Sequence, residues 1–164
     1  MTKKMKVIFL LTHIAALGIG YVLGVFSPGA KYMKEGAMMA TQGGMISHYA
    51  SLVDIARNNG DRDAYKKSLL AFLAVLEEII KQPSEFFDAK TTSTDKVFVY
   101  ERLSKLERES GNAKAADNYM NLAVQACGKS GLKDCSIEKI ITLSKKIEES
   151  SMISPKSKEG SAKH

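Results

Sequence analysis

Apolar residues recur along this chain at helical spacing, and no strand-like alternation persists anywhere in it. The cleanest stripe is Tyr65, Leu69, Phe72, Leu73, Leu76, Ile79 and Ile80, at offsets 0, 4, 7, 8, 11, 14 and 15, which predicts an amphipathic helix of period 3.6. Before it, Met45, Ile46, Tyr49, Leu52, Val53, Ile55 and Ala56 predict another, closed by Asn58-Asn59-Gly60. Gly60 suits a left-handed C-terminal position, and Asp61 is a good N-cap for the helix that follows. Pro83 stops that helix. Residues 83–94 then form a linker whose apolar content is Phe86-Phe87.

Three further helices are expected. Thr94 or Asp95 caps one carrying Val97, Phe98, Tyr100, Leu103 and Leu106, which ends at Gly111. Asn112 caps the next, with Ala115, Ala116, Tyr119, Met120, Ala123, Val124 and Cys127. Ser136 caps the last, with Ile137, Ile140, Ile141, Leu143 and Ile147 as its stripe. The fold class is all-α. Residues 31–42 are helix-compatible but poorly amphipathic, and Gly43-Gly44 should interrupt them, so 27–44 reads as a spacer. The small, polar, basic tail 151–164 should be disordered.

One apolar run is continuous. Residues 7–26, VIFLLTHIAALGIGYVLGVF, contain no Asp, Glu, Lys or Arg, and a helix of that length spans about 30 Å, the hydrocarbon thickness of a bilayer. Lys3, Lys4 and Lys6 precede it, which predicts a cytoplasmic N-terminus (residues 1–6) and an outside domain, periplasmic for a bacterial inner-membrane protein. A cleaved signal peptide is the alternative, and would free the same domain into the periplasm. Its apolar run is usually about 7–15 residues, and Pro28 weakens cleavage after Ala30. A buried core helix is the third reading. Ala16, Gly20 and Gly24 form a small-xxx-small ladder that would let two copies pair as a homodimer through the anchor. Glycine is also simply common in such helices, so both readings stay open.

Charge adds little. Lys and Arg number 24 against 18 Asp and Glu, and three of the cations are the flanking lysines. The remainder is too balanced and too dispersed for nucleic acid. Cys127 and Cys135 lie eight apart beyond the apolar run, and in an oxidising compartment such an isolated pair predicts a disulfide. A redox pair or zinc site fits poorly, because there is no C-x-x-C and the three histidines are scattered. No phosphate loop, nucleophile elbow, H-E-x-x-H or dinucleotide fingerprint occurs. The expectation is therefore a non-enzyme without cofactor or metal. Glu77-Glu78 and Glu148-Glu149 read as solvated helix faces. Met33, Met38, Met39 and Met45 with His48 offer thioether and imidazole ligands suited to Cu(I), which keeps a periplasmic copper or small-ligand carrier as the alternative function. Copper-binding methionines usually sit closer together, and methionine is also a flexible filler.

The two central hairpins superpose in sequence at an offset of 51: Tyr49 on Tyr100, Leu52 on Leu103, Arg57 on Arg108, Gly60 on Gly111, Ala64 on Ala115, Leu69 on Met120. The second copy resembles a tetratricopeptide (TPR) repeat. Tyr100, Leu103 and Ser104 occupy the aromatic, leucine and small positions of its first helix, Gly111 the turn, and Ala116 and Ala123 the small positions of its second. Glu107 and Met120 depart from the usual aromatics, and the first copy carries Val53 and Tyr65 where small residues are usual. The resemblance implies stacked antiparallel hairpins over 45–150, with the last helix as a cap stapled by Cys127–Cys135. It also implies a protein-binding face on the first helices, where Asp54, Arg57, Lys105 and Arg108 are the candidates. Phe86 and Phe87 either tuck onto the helices or form a second partner contact. The expected function is a membrane-anchored adaptor or assembly factor. A structural subunit held through its transmembrane helix is a further alternative. The partner protein is not named by the sequence.

Overall fold

The structure, a computed structural model, describes residues 28–152. Among these residues there are five helices and no strand: α1 (Pro28–Asn58), α2 (Arg62–Lys81), α3 (Ala89–Glu109), α4 (Ala113–Cys127) and α5 (Ile137–Met152). The all-α architecture is compatible with a helical repeat. No helix among the described residues is long and apolar enough to cross a membrane. The span expected at 7–26, with Ala16, Gly20 and Gly24, lies outside them, as does the tail beyond Met152.

The turns follow local chemistry. Asp61 accepts a hydrogen bond from the Ala64 N–H at 2.9 Å, capping α2 as its sequence position suggested. Gly60 and Gly111, matched at the repeat offset, adopt φ of 71° and 82°. Both copies thus close their first helix with a left-handed glycine, a conformation that side chains with a Cβ rarely tolerate. The Asn112 side chain departs from expectation. It makes no cap hydrogen bond, and its amide instead donates to Glu107 Oε2 at 2.8 Å.

Two boundaries move. Gly43-Gly44 does not interrupt anything, because α1 runs through it. Each mid-helix glycine costs about 1 kcal/mol relative to alanine, and tertiary contacts offset that cost here. The Gln42 amide donates to the Gln82 carbonyl at 2.7 Å and accepts from Ser84 Oγ at 2.5 Å. A Cβ built on Gly43 would lie 3.5 Å from the Phe87 ring. The packed unit begins at Gln42, close to the predicted domain start at residue 45. The second shift is at α3, which starts at Ala89 rather than after Thr94. Asp88 caps it by accepting from the Thr91 N–H at 2.6 Å. Thr92 and Thr94 then turn their hydroxyls back onto the carbonyls four residues earlier, so a polar run that reads as linker becomes a helical turn.

The core divides into two clusters. Val53 of α1, Tyr65, Leu69, Phe72, Leu73 and Leu76 of α2, and Val99, Leu103 and Leu106 of α3 form the first. Val97, Met120, Ala123, Ala126, Cys127 and Ile140 join α3, α4 and α5 in the second. Small residues allow the closest approach. Ser104 and Ala116 are both buried, and Ser104 Oγ donates to the Ala116 carbonyl at 2.8 Å. Cys127 and Cys135 are disulfide-bonded, with Cα atoms 5.6 Å apart. The bond ties the end of α4 to the residues just before α5.

Asp95 illustrates the price of extending α3. It is half-buried, carries no ion pair among the described residues, and burial pushes its carboxyl up to about 6. Its folded value lies above the ordinary one, so the protein is favoured while the group is protonated and loses that contribution as pH rises through about 6. Asp95→Asn should therefore raise the melting temperature at pH 8 and leave it nearly unchanged at pH 4, by thermal denaturation at both values. An equal shift at the two pH values would contradict this account.

Candidate functional site

Among the described residues a cleft opens beside α1 and α3, the helices on which the sequence places the candidate binding face. It has a volume of about 300 Å³ and is walled by Ala56 and Arg57 of α1, Arg62 and Tyr65 of α2, Arg102, Lys105, Leu106 and Glu109 of α3, and Glu148 of α5. Gly60 and Asp61 supply its rim. Four cations face three carboxylates across this space.

Each charge is placed by its helix. Arg57 pairs with Asp54, one turn back, at 3.1 Å. Arg62 in the first turn of α2 pairs with Glu109 at 3.1 Å. Glu148 reaches in from α5, its Oε1 3.5 Å from Arg102 Nε and its Oε2 3.4 Å from Lys105 Nζ. Arg102 and Glu148 side chains keep only 13% and 14% of their exposure, so this pair is desolvated as few ion pairs are. Burial raises the Tyr65 hydroxyl's pKa; the nearby Arg102 and Arg57 oppose the shift, and Glu148 and Glu101 add to it. The phenol thus stays neutral on the wall of a cleft lined by charged side chains.

Glu101 sits behind the cleft. It is buried against α5 and accepts a hydrogen bond from the hydroxyl of the buried Ser144. Burial pushes its carboxyl above the ordinary value, and the Ser144 hydrogen bond offsets only part of the effect. On the far side of α3, Glu107 is buried and bonded to Lys66 Nζ at 2.5 Å. Hydrogen bonds from Lys66 and Asn112 lower its pKa. A carboxylate therefore takes the position where the repeat pattern usually has an aromatic, and it tolerates burial because both oxygens are satisfied.

The predicted partner-binding residues are only partly brought together. Arg57 and Lys105 line the cleft, and Asp54 supports Arg57. Arg108 does not line it; it pairs at 3.2 Å with Asp117 of α4 on an exposed surface. The Phe86-Phe87 pair is split. Phe87 turns onto α1 beside Gly43, while Phe86 is 68% exposed. Glu149 is solvated as expected, but Glu148 is not, because the helix turn carries it onto α3. On α1, Met33, Met45 and His48 are exposed and Met38 and Met39 half-buried. No cluster of three or more His, Cys, Asp or Glu side chains able to hold a metal ion occurs among the described residues.

Arg62, Arg102 and Glu148 are functional candidates that the sequence reading passed over. A signal existed for Arg102. It follows Val99 by three positions and precedes Leu106 by four, which puts a cation in phase with a buried stripe. A planar guanidinium set beside a tyrosine hydroxyl and a lysine is suited to holding carboxylates, which it can engage with two parallel hydrogen bonds. No family model matches the chain, and neither curated proteins nor solved structures include one that is significantly similar to it.

Proposed function

We propose that this chain is a membrane-anchored adaptor whose TPR-like helical domain, outside the cytoplasmic membrane, binds another protein through the cleft between α1 and α3. The observation that carries the reading is the cleft itself: Arg57, Arg62, Arg102 and Lys105 line one space together with Tyr65. Arginine and tyrosine dominate the energetics of protein interfaces, and desolvated examples do so most. The continuous apolar run at 7–26 and its lysine flank support anchoring and topology, and the disulfide suits an oxidising compartment.

Site-specific photocrosslinking in intact membranes tests this. A photoreactive residue at Arg62 or Lys105 should give a discrete protein adduct, and the same probe at Asn118 or Asn121, exposed on α4, should not. Identical adduct patterns from both faces would reject the cleft as the binding surface.

A further inference from the structure

Glu148 is a carboxylate that α5 supplies to a cleft otherwise lined by α1, α2, α3 and the turn between α1 and α2. Its removal would take a carboxylate from both Arg102 and Lys105. Arg57 and Arg62 have carboxylate partners of their own, Asp54 and Glu109, whereas Arg102 and Lys105 have Glu148 as the partner they share. Both contacts are long. Their distances of 3.5 and 3.4 Å exceed the roughly 2.7–2.9 Å of a good charge-assisted hydrogen bond. The Nε–H of Arg102 is buried without a hydrogen-bond partner. A buried guanidinium donor left in this state favours any carboxylate able to approach it more closely.

The helix carrying Glu148 is also weakly seated at that end. Ser144 is the last buried side chain along α5, and Ile147, beside Glu148, remains 40% exposed. The covalent tie is at the opposite end, where only Ser136 separates Cys135 from the first residue of α5. Ile140, one turn in, packs with Val97 and Met120. α5 is thus fixed at its base by a disulfide and an aliphatic contact, and toward its tip Ser144 and Glu148 make polar contacts with α3. Such a helix can lift its tip without leaving, because the tether keeps its effective concentration high.

We propose that Glu148 is a built-in stand-in for a partner's carboxylate: the tip of α5 closes the α1–α3 cleft, and an acidic segment of a partner protein opens it by displacing Glu148 from Arg102 and Lys105. This rests on the cleft being the protein-binding surface, and it adds the chemistry of the partner and the regulation of access. Acidic rather than basic segments are selected because every carboxylate left in the opened cleft, Asp61 and Glu109, is outnumbered by Arg57, Arg62, Arg102 and Lys105. The closed state lowers apparent affinity by the fraction of molecules that are open.

The test uses the full chain in non-ionic detergent, with a fluorescein-labelled hexaglutamate peptide as probe, its hexaglutamine counterpart as control, and binding read by anisotropy. Glu148→Gln should bind hexaglutamate about tenfold more tightly than wild type, equivalent to about 1.4 kcal/mol. Glu149→Gln makes the same change in net charge at an exposed neighbour, and should bind as wild type does. Lys105→Gln, at an exposed and structurally undemanding position, should weaken binding several-fold. Saturating wild type with hexaglutamate should speed amide exchange over residues 143–150 while leaving α4 protected. Thermal melts of each variant identify any loss of folding, and the Glu149→Gln and Lys105→Gln arms and the wild-type exchange experiment remain decisive should Glu148→Gln unfold. Equal affinity of wild type and Glu148→Gln, with Lys105→Gln impaired, would overturn the stand-in role while leaving the cleft as a binding surface. Equal gains from Glu148→Gln and Glu149→Gln would also overturn it, as would hexaglutamine binding as well as hexaglutamate. Failure of every variant to bind hexaglutamate would overturn the acidic-partner inference, and photocrosslinking at Arg62 and Lys105 would then decide the broader adaptor reading separately.

Discussion

Leu103→Ala should lower the stability of the helical domain by about 3 kcal/mol, the middle of the range for truncating a fully buried leucine. Leu103 has no exposed surface and belongs, with Tyr65, Leu69 and Leu106, to the cluster shared by α1, α2 and α3. Truncation there removes transfer free energy and leaves a cavity, because helices already closely packed through Ser104 and Ala116 cannot collapse further. The expected readout is a drop of roughly 10 °C in melting temperature for a domain of this size. Leu70→Ala is the internal control. Its side chain is exposed, so its replacement should stay within about 0.5 kcal/mol. Comparable losses from the two substitutions would mean that the packing of α3 against α2 is not the principal source of stability.

The second large effect concerns the disulfide. Replacing Cys127 and Cys135 together by serine should destabilise the protein by about 2–3 kcal/mol, chiefly by releasing the closed loop in the unfolded chain. In urea this corresponds to a midpoint lowered by roughly 1 M. The loss should differ in kind from that of Leu103→Ala. Amide exchange should accelerate first and most in α5, because α5 depends on the staple at its base, while α2 and α3 keep their protection until global unfolding. Uniform acceleration through all helices would show that α5 belongs to one cooperative unit with the rest, and would weaken the case for a liftable tip.

Most of the helical framework is legible in the residues, because it depends on local rules. Asp61 as a cap, Gly60 and Gly111 as left-handed turn residues and the Tyr65–Ile80 stripe can all be read without knowing any partner helix. The failures share one cause. Gly43-Gly44 and the run Thr91-Thr92-Ser93-Thr94 have poor helix propensity, yet both are helical, since their support comes from residues distant in sequence or from hydroxyls that fold back onto the helix itself. Propensity is a weak preference, and contacts of a few kcal/mol readily reverse it. Asn112 is a related case. Glu107 competes for its amide and wins it from the helix terminus.

The candidate site was half visible. Arg57 and Lys105 were reached through the repeat offset, whereas Arg108, reached by the same route, turned out to lie on another surface with Asp117. An offset fixes which helix a residue belongs to and roughly which face it shares. It does not fix the angle at which the next helix crosses, and that angle decides which cations meet. Glu148 shows the same point from the other side. In sequence it is one of two adjacent glutamates with nothing to separate them, and a rotation of about 100° along α5 puts Glu149 in solvent and Glu148 on Arg102.

By itself the sequence determined the helical class, the hairpin turns, the pairing of Cys127 with Cys135 as the expected disulfide, and the apolar run at 7–26 that motivates a membrane anchor. Each of these depends on neighbours along the chain or on residue type alone. Only the tertiary structure decided that α1 continues through two glycines, that Phe86 and Phe87 part company, and that four cations and a carboxylate from the last helix meet around Tyr65. Those outcomes depend on desolvation and on crossing geometry between elements as far apart in sequence as Arg57 and Glu148, which no local pattern encodes.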